Sequence, residues 1–258
     1  MKLTDTHSHL YLPHFEDDID DVIGNARANK ISHILLPNID TESTGPMLEL
    51  CRSYPAYCFP MIGLHPASVK ENYRQQLKEL ESLLDKGNFV AVGETGMDAY
   101  WDKTFLKEQE DAFITQLEWA KKLDLPVVIH SRETMDRIIT IVRSHQDSKL
   151  RGVFHAFSGN LSQAEEVKEL GFKIGIGGVI TFRNSNLPEI VSEVGLHNIV
   201  LETDAPYLTP VPYRGKRNES SYLIYIAREI ARIKGITLEK VAKVTTANAC
   251  DLFKLSCQ

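Results

Sequence analysis

The stretch Pro126-Val127-Val128-Ile129-His130 decides the fold of this chain of 258 residues. It is a short apolar run rich in β-branched residues, and it ends on a histidine. A run without polar–apolar alternation is typical of a parallel strand that is buried on both faces. The segment before it carries Phe113, Leu117 and Ala120 at the i, i+4 and i+7 spacing of an amphipathic helix. A helix followed by a buried strand is therefore the predicted repeating unit.

The same unit recurs along the whole chain. The apolar runs lie near Lys2–Thr6, His33–Pro37, Cys58–Leu64, Phe89–Gly93, Pro126–Ile129, Gly152–Phe154, Phe172–Ile176 and Ile199–Thr203. After the last run, a helix is expected to stop near Gly235, and Thr237 can cap a final helix that reaches Phe253. Eight strand–helix alternations in about 250 residues predict an α/β protein, a single (β/α)₈ TIM barrel domain over residues 1–258. A doubly wound open sheet is the alternative.

The composition narrows the class of protein. A net charge of −6, with 43% hydrophobic and 25% charged residues, is ordinary for a soluble globular protein. The charge argues against a protein that coats duplex nucleic acid. No run approaches the roughly 20 apolar residues of a membrane span. Met1–Asp5 places an acid where a secretory signal needs apolar residues, so we expect a cytoplasmic protein that does not bind membranes.

Side chains that bind metals follow five of the predicted strands. In a barrel the carboxyl ends of all strands meet at one face, so residues far apart in sequence converge there. The predicted metal ligands are His7, His9, Glu94, His130, His155 and Asp204. A single histidine at a strand end is usually an ordinary hydrogen-bonding residue, but this whole set predicts a metal site.

Four histidines and two carboxylates exceed what one tetrahedral ion needs. We therefore expect two divalent cations bridged by Glu94. His7 and His9 would bind the first ion together with Asp204, and the other two histidines would bind the second. Two such ions would stabilise the attacking and leaving oxygens of a displacement at phosphorus. Asp204 is also the candidate proton acceptor, although a role as ligand alone is open.

The identity of the metal stays open. Imidazole-rich sites suit zinc, manganese, iron or cobalt better than magnesium, which prefers oxygen donors.

Further residues are candidates for contact with substrate. His65 follows the third run and has no place among the ligands, so it is expected to hydrogen-bond a phosphate oxygen or to protonate the leaving oxygen. A structural role beside Pro66 is the alternative. Arginine binds phosphate through two parallel hydrogen bonds, and Arg132 and Arg214 are the predicted substrate-binding arginines. Further candidates are Arg183, in the loop after the seventh run, and Lys216 and Arg217, in the loop after the eighth. Lys216 and Arg217 could equally be solvated surface charges.

Three aromatic residues lie in the loops that follow the fourth and eighth runs. Tyr100, Trp101 and Tyr207 could stack with the bases of a single strand. Ordinary packing is the alternative for each of them.

The chain resembles the TatD family of metal-dependent deoxyribonucleases, within the wider amidohydrolase-like group of metal barrels. The matching segments span residues 5 to 219 and are Asp5-Thr6-His7-Ser8-His9-Leu10, Gly63-Leu64-His65-Pro66, Val92-Gly93-Glu94-Thr95-Gly96-Met97-Asp98, His130-Ser131-Arg132, His155-Ala156-Phe157-Ser158-Gly159, Glu202-Thr203-Asp204-Ala205-Pro206-Tyr207-Leu208 and Pro212-Tyr213-Arg214-Gly215-Lys216-Arg217-Asn218-Glu219. Their order and spacing make the resemblance specific.

The resemblance implies a (β/α)₈ metallohydrolase that acts on ester bonds with one to three divalent ions, magnesium included. It implies the same six ligands that the strand ends indicate. It also implies nuclease action on DNA, including 3′-to-5′ exonuclease action. We expect single-stranded DNA or a frayed end as substrate, because only these reach a deep barrel mouth, and we expect no obligate protein partner.

Three other functions stay open. An amidohydrolase or lactonase would act on a carbonyl; many such barrels bridge their metals with a carboxylated lysine, where this chain has Glu94 and no lysine from Phe89 to Tyr100. A phosphoesterase for small metabolites would share the metal site. A catalytically silent barrel that only binds ligands would tolerate the loss of Asp204.

Overall fold

The computed structural model describes residues 1–84 and 87–256. The strands are β1 (Leu3–Asp5), β2 (Ile31–Leu36), β3 (Cys58–Pro60), β4 (Val92–Asp98), β5 (Val127–Arg132), β6 (Gly152–Phe154), β7 (Phe172–Ile176) and β8 (Ile199–Leu201). The α-helices are α1 (Ile19–Ala28), α2 (Thr41–Ser53), α3 (Tyr73–Leu84), α4 (Leu106–Leu123), α5 (Met135–His145), α6 (Leu161–Glu169), α7 (Leu187–Glu193), α8 (Leu223–Lys234) and α9 (Leu238–Phe253). Short 3₁₀ helices lie at Pro13–Phe15, Pro66–Ser68, Gly178–Thr181, Leu196–Asn198 and Ser220–Tyr222.

The strands form a parallel barrel in sequence order. Neighbouring strands are hydrogen-bonded in the order β1-β2-β3 in one sheet and β4-β5-β6-β7-β8 in the other. At one seam Ile62 pairs with Val92, and at the other Ser8 pairs with Ala205, both in parallel. The amide of Thr6 also donates to the carbonyl of Leu201 at 2.9 Å. The predicted (β/α)₈ barrel is confirmed, and the open sheet is not adopted.

Apolar side chains fill the barrel interior below the predicted site. The strands and the residues just before or after them contribute Leu35, Met61, Ala91, Val128, Val153 and Val200, which pack against the end of α9. Several of these residues lie two to four positions before a predicted ligand. The polar residues therefore occupy the carboxyl end of a barrel whose remaining interior is a packed core.

Strand β4 differs from its prediction. The run Phe89–Gly93 was expected to be the strand, with Glu94 at its end, but β4 covers Val92–Asp98 and Glu94 lies inside it. The reason is pairing with β5, which continues as far as Asp98 opposite Arg132. Gly96 allows this pairing, because it has a φ of +140° and a Cβ there would lie 2.0 Å from the His130 carbonyl oxygen.

The predicted helix signals are confirmed. Phe113 and Leu117 of α4 are fully buried. Helix α8 ends at Gly235 with a φ of 62°, and the Thr237 hydroxyl accepts a hydrogen bond from the amide of Lys240 at the start of α9. Among the helices of residues 1–84 and 87–256, none is long and apolar enough to cross a membrane.

Candidate metal centre

The six predicted ligands lie together at the carboxyl end of the barrel, around the Glu94 carboxylate. His7 and His9 follow β1, His130 lies within β5, His155 follows β6 directly and Asp204 comes three residues after β8. The side chains of His7 and Glu94 are 0% and 3% exposed, while 14% of the Asp204 side chain is accessible. The cluster is therefore enclosed on the barrel side and open at Asp204 and at His130, whose side chain is 18% exposed.

The two oxygens of Glu94 face different histidines. Oε2 lies 3.1 Å from Nε2 of His7 and 3.6 Å from Nε2 of His9. Oε1 lies 2.8 Å from Nδ1 of His130 and 3.7 Å from Nε2 of His155. Glu94 thus contacts all four predicted imidazoles. His155 lies closer to His7, with ring centroids 3.4 Å apart, than to His130, with centroids 6.4 Å apart.

Asp204 completes the side of the cluster near β1. Its Oδ1 lies 3.6 Å from Nε2 of His9, 3.8 Å from that of His7 and 3.9 Å from that of His155. Asp204 has a φ of 56°, a left-handed conformation that is uncommon outside glycine. Its amide donates to the carbonyl of His7 at 2.9 Å, which holds this conformation in place.

The donor atoms fit a divalent cation. Nε2 of His7 and Nε2 of His9 are 3.2 Å apart, and the rings of His7 and His155 stack with centroids at 3.4 Å. Buried nitrogens at this distance need a proton or a cation between them, because two lone pairs repel. Three groups of potential ligand atoms meet here, namely His7/His9/Glu94, His7/His155/Asp204 and His65/Glu94/His130.

The charges in the cluster favour ionised carboxylates. Burial alone would raise the pKa of Glu94, but His65, His7 and His155 hold it well below its usual range. Burial likewise opposes ionisation of Asp204, and the hydrogen bond with His9 and the nearby imidazoles lower its pKa. Burial would lower the pKa of His155, but Glu202 and Glu94 raise it to about 10. A bound cation would take the place of the proton that His155 holds.

Tyr11 orients His9, a contact that the sequence did not predict. The Tyr11 hydroxyl donates to the carbonyl of Pro37 at 2.6 Å, and its oxygen lies 3.0 Å from Nδ1 of His9. Since the hydroxyl proton goes to Pro37, the oxygen must accept from Nδ1–H. In a neutral ring Nε2 of His9 then carries the lone pair that a metal ligand requires, and only a protonated ring can donate from Nε2 to Asp204.

Two carboxylates orient the histidines of the other pair. Oδ2 of Asp98 lies 3.1 Å from Nε2 of His130, and Oε1 of Glu202 lies 3.1 Å from Nδ1 of His155. Both were missed as site residues. For Asp98 strand periodicity was the available signal, because it lies four residues after Glu94 within β4. Glu202 lies beyond the end of β8 at Leu201, and strand periodicity does not connect it with Asp204, whose φ is 56°. Among the residues that the structure describes, Nδ1 of His7 and Nδ1 of His155 have no hydrogen bond of good geometry, so Glu202 acts on His155 as a nearby charge.

His65 lies beside the cluster in a different hydrogen-bonding state. Its Nδ1 accepts a hydrogen bond from the amide of Ala67 at 3.0 Å, so a neutral ring carries its proton on Nε2. That Nε2 lies 3.5 Å from Oε1 of Glu94. His65 therefore presents an N–H donor to the site, whereas His9 presents a lone pair.

The predicted basic residues differ in their surroundings. The guanidinium of Arg132 lies 3.8 Å above the Tyr100 ring, and that of Arg214 lies 3.7 Å above the Phe182 ring. Both are exposed. Arg217 instead donates to both oxygens of Asp18, at 2.8 and 2.6 Å, and to the carbonyl of His14 at 2.6 Å. Its donors are therefore used within the protein.

Comparison with known proteins agrees with this site. The model of the TatD-related DNase family matches residues 4–254. The chain is 35% identical to YabD of Bacillus subtilis, an uncharacterized metal-dependent hydrolase, over 98% of this chain and all of YabD. It is 32% identical to YcfH of Escherichia coli K12, also an uncharacterized metal-dependent hydrolase, over 99% of this chain and 97% of YcfH.

Solved structures of TatD homologues are also similar to this chain. The crystal structure of YjjV, a TatD homologue of Escherichia coli K12, superimposes with a TM-score of 0.93 at 30% identity, covering 98% of each chain. A TatD-family hydrolase of Entamoeba histolytica, at 22% identity, has the same fold, with a TM-score of 0.88 over 99% of each chain. A match over nearly the whole chain, together with a cluster of side chains able to hold metal, places the protein among metal-dependent hydrolases. The chain belongs to the TatD family.

Proposed function

We propose that this protein hydrolyses phosphodiester bonds in single-stranded DNA or frayed ends, as a 3′-to-5′ exonuclease that uses two divalent cations. The observation that carries the proposal is the position of Glu94, with Oε2 toward His7 and His9 and Oε1 toward His130 and His155. A carboxylate between two sets of imidazoles is suited to bridge a pair of cations. Neither a protein partner nor a membrane is part of the proposal, and the reaction would take place in the cytoplasm.

The residues around Glu94 would hold the two cations. His7, His9 and Asp204 would hold the first, and His130 and His155 the second, with Glu94 shared. Zinc, manganese and magnesium are the candidate ions. Two bound cations would supply a hydroxide at neutral pH and neutralise negative charge that develops on the phosphoryl oxygens.

Asp204 and His65 supply the two proton-transfer groups. The depressed pKa of Asp204, caused by the hydrogen bond with His9 and nearby imidazoles acting against burial, leaves an ionised carboxylate to accept a proton from attacking water. Asp204 is also the most accessible carboxylate of the cluster, at 14%. Nε2–H of His65 is placed to hydrogen-bond a phosphate oxygen or to protonate the leaving oxygen.

Arginine side chains suit a phosphorylated substrate. Arg132 and Arg214 are exposed, and aromatic rings hold their guanidinium planes. Their N–H groups can bind phosphate through two parallel hydrogen bonds. This favours reaction at phosphorus over reaction at a carbonyl, which is the alternative for an amidohydrolase or lactonase.

A substrate panel tests the proposal. Purified protein would be incubated with single-stranded DNA labelled at the 3′ or the 5′ end, in zinc, manganese or magnesium. A dinucleotide, a phosphomonoester and a lactone would be assayed in parallel. We expect release of single nucleotides from the 3′ end and much slower turnover of the phosphomonoester and the lactone. Turnover of the lactone or of the phosphomonoester without turnover of single-stranded DNA would contradict the proposal.

Two variants test the assigned roles in the same assay. Asp204→Asn should lower kcat by about 10²-fold or more, with little change in KM. Arg214→Ala should raise KM while metal content stays unchanged. Arg143→Ala is the matched control, because Arg143 is an exposed arginine that pairs with Glu166 on the helical surface. Full turnover by Asp204→Asn would remove it as the proton acceptor.

A further inference from the structure

Exposed aromatic residues gather around the metal centre. Among the residues that the structure describes, the large apolar side chains that are most exposed are Met1, Tyr100, Trp101, Tyr207 and Val211. The aromatic residues among these side chains all follow β4 or β8, at the same end of the barrel as Glu94. Trp101 is 72% exposed, so its indole ring is accessible to a ligand.

Asp98 ties this aromatic loop to the metal centre. Its Oδ1 accepts hydrogen bonds from the amides of Tyr100, at 2.8 Å, and Trp101, at 3.3 Å. Its Oδ2 lies 3.1 Å from Nε2 of His130. The loop therefore starts at a side chain that contacts a predicted ligand, and Trp101 lines one cleft together with Asp98.

Arg132 lies within the same cluster. Its guanidinium is 3.8 Å from the Tyr100 ring and 5.4 Å from the Trp101 ring, and the two rings meet edge to face with centroids at 4.8 Å. Among the described residues no carboxylate lies within ion-pair distance of Arg132. Two nearby carboxylates have other partners, since Asp102 pairs with Lys70 at 3.1 Å and Glu133 with Lys103 at 3.8 Å. The guanidinium donors are therefore free to bind an anion.

A small cleft lies next to Trp101. Pro66, Lys70, Asp98 and Phe105 line it together with the indole. Pro66 directly follows His65, whose Nε2–H faces the metal centre.

We propose that Trp101, Tyr100 and Arg132 form a nucleotide subsite in which an unpaired base stacks on the exposed indole. Arg132, held against Tyr100, binds a phosphate on the side facing the metal centre. The ligand class is a single-stranded oligonucleotide, and the subsite rests on the proposed nuclease function. Stacking of one base on an aromatic side chain corresponds to about 5- to 150-fold in affinity.

The test removes one base of the oligonucleotide, the indole of Trp101, or both at once. The metal-loaded protein would be assayed with the octanucleotide (dT)₈ and with eight versions that each carry one abasic residue. In the wild type, one abasic position near the cleaved end should lower kcat/KM by about 5- to 150-fold. Trp101→Ala should show a similar loss with (dT)₈ and no further loss with that abasic version. Equal abasic penalties in the wild type and Trp101→Ala would overturn the subsite.

Two further variants control the assay. Trp101→Phe keeps an aromatic ring and should restore a large part of the loss, which a merely structural role for the loop does not predict. Val211→Ala removes another exposed apolar side chain of the barrel mouth, 47% exposed, and should leave the abasic penalty unchanged. A loss of the penalty in Val211→Ala would contradict a stack located at Trp101.

Fluorescence separates this inference from the proposed function. Trp119 is only 4% exposed, so a change in indole emission on addition of a cleavage-resistant phosphorothioate (dT)₈ reports on Trp101. Quenching without hydrolysis of (dT)₈ would support the subsite and overturn the nuclease. Hydrolysis without quenching, with an unaltered rate in Trp101→Ala, would overturn the subsite and retain the nuclease. If the protein neither binds nor hydrolyses the oligonucleotide, both the subsite and the nuclease function are overturned.

Discussion

Oδ2 of Asp98 lies 3.1 Å from Nε2 of His130, while Nδ1 of the same ring lies 2.8 Å from Oε1 of Glu94. One imidazole is therefore held from both sides by carboxylates of one strand, β4. Burial would lower the pKa of His130, but these two carboxylates raise it above its ordinary value. Burial also opposes ionisation of Asp98, whereas His130 and the loop amides lower its pKa to about 2.

Asp98→Asn should weaken binding at the second metal position by about 10- to 100-fold, because loss of an outer carboxylate disturbs the ligand that it orients. Metal affinity would be measured by competition with a chelator. Asp111→Asn is the control, since Asp111 interacts with Tyr73 and Arg74 on the surface. Equal affinity in Asp98→Asn and the wild type would show that His130 is oriented without Asp98.

Tyr11→Phe should lower the affinity for the first metal by about 10-fold or more, because His9 loses the acceptor for Nδ1–H. Tyr57→Phe is the matched control. Tyr57 is buried and its hydroxyl also donates to a backbone carbonyl, that of Ile31, at 3.1 Å. The same titration would be applied to both variants, and a similar loss in Tyr57→Phe would mean that the effect is one of general stability.

His65→Gln should lower kcat while both metals stay bound, because the Nε2–H of His65 is a donor and carries no lone pair for a cation. Loss of a proton-transfer group costs about 10²- to 10⁴-fold. His130→Gln is the comparison and should lose metal. Metal content and kcat would be measured together, and metal loss in His65→Gln would instead make His65 a ligand.

The barrel core offers a test of pH-dependent stability at His33, away from the metal centre. His33 is 8% exposed, and burial lowers the pKa of its ring. The unfolded chain therefore binds a proton more readily than the folded protein, and the free energy of unfolding should fall as the pH drops below about 6.5. Denaturant unfolding at pH 7 and pH 5 should show a smaller drop for His33→Gln. Identical drops would contradict the assigned pKa direction.

The barrel and its ligand set follow from local sequence patterns. Runs such as Val127–Ile129 indicate buried parallel strands by their lack of alternation, and strands in a barrel bring His7 and Asp204 together although they are far apart in sequence. Glu94 was placed at a strand end because the apolar residues stop at Gly93. Hydrogen bonding to β5 continues through polar and small residues, so apolar composition alone could not set that boundary.

The residues that orient the ligands depend on tertiary contacts. Tyr11 acts through the carbonyl of Pro37, which belongs to another loop, and no pattern near Tyr11 indicates that contact. Arg217 resembled Arg214 as a loop arginine, and only the position of Asp18 shows that its donors are used. Spacing along β4 could have indicated Asp98, which lies four residues after Glu94, whereas Glu202 lies beyond the end of β8.

The central claim is that Glu94 bridges two cations, and the most direct test is the position of bound metal. Anomalous diffraction from crystals grown with manganese or zinc should give two peaks, one at His7 and His9 beside Oε2 and one at His130 and His155 beside Oε1. Metal analysis should find two ions per wild-type chain and fewer in Glu94→Gln. A single peak with unchanged metal content in Glu94→Gln would contradict the account.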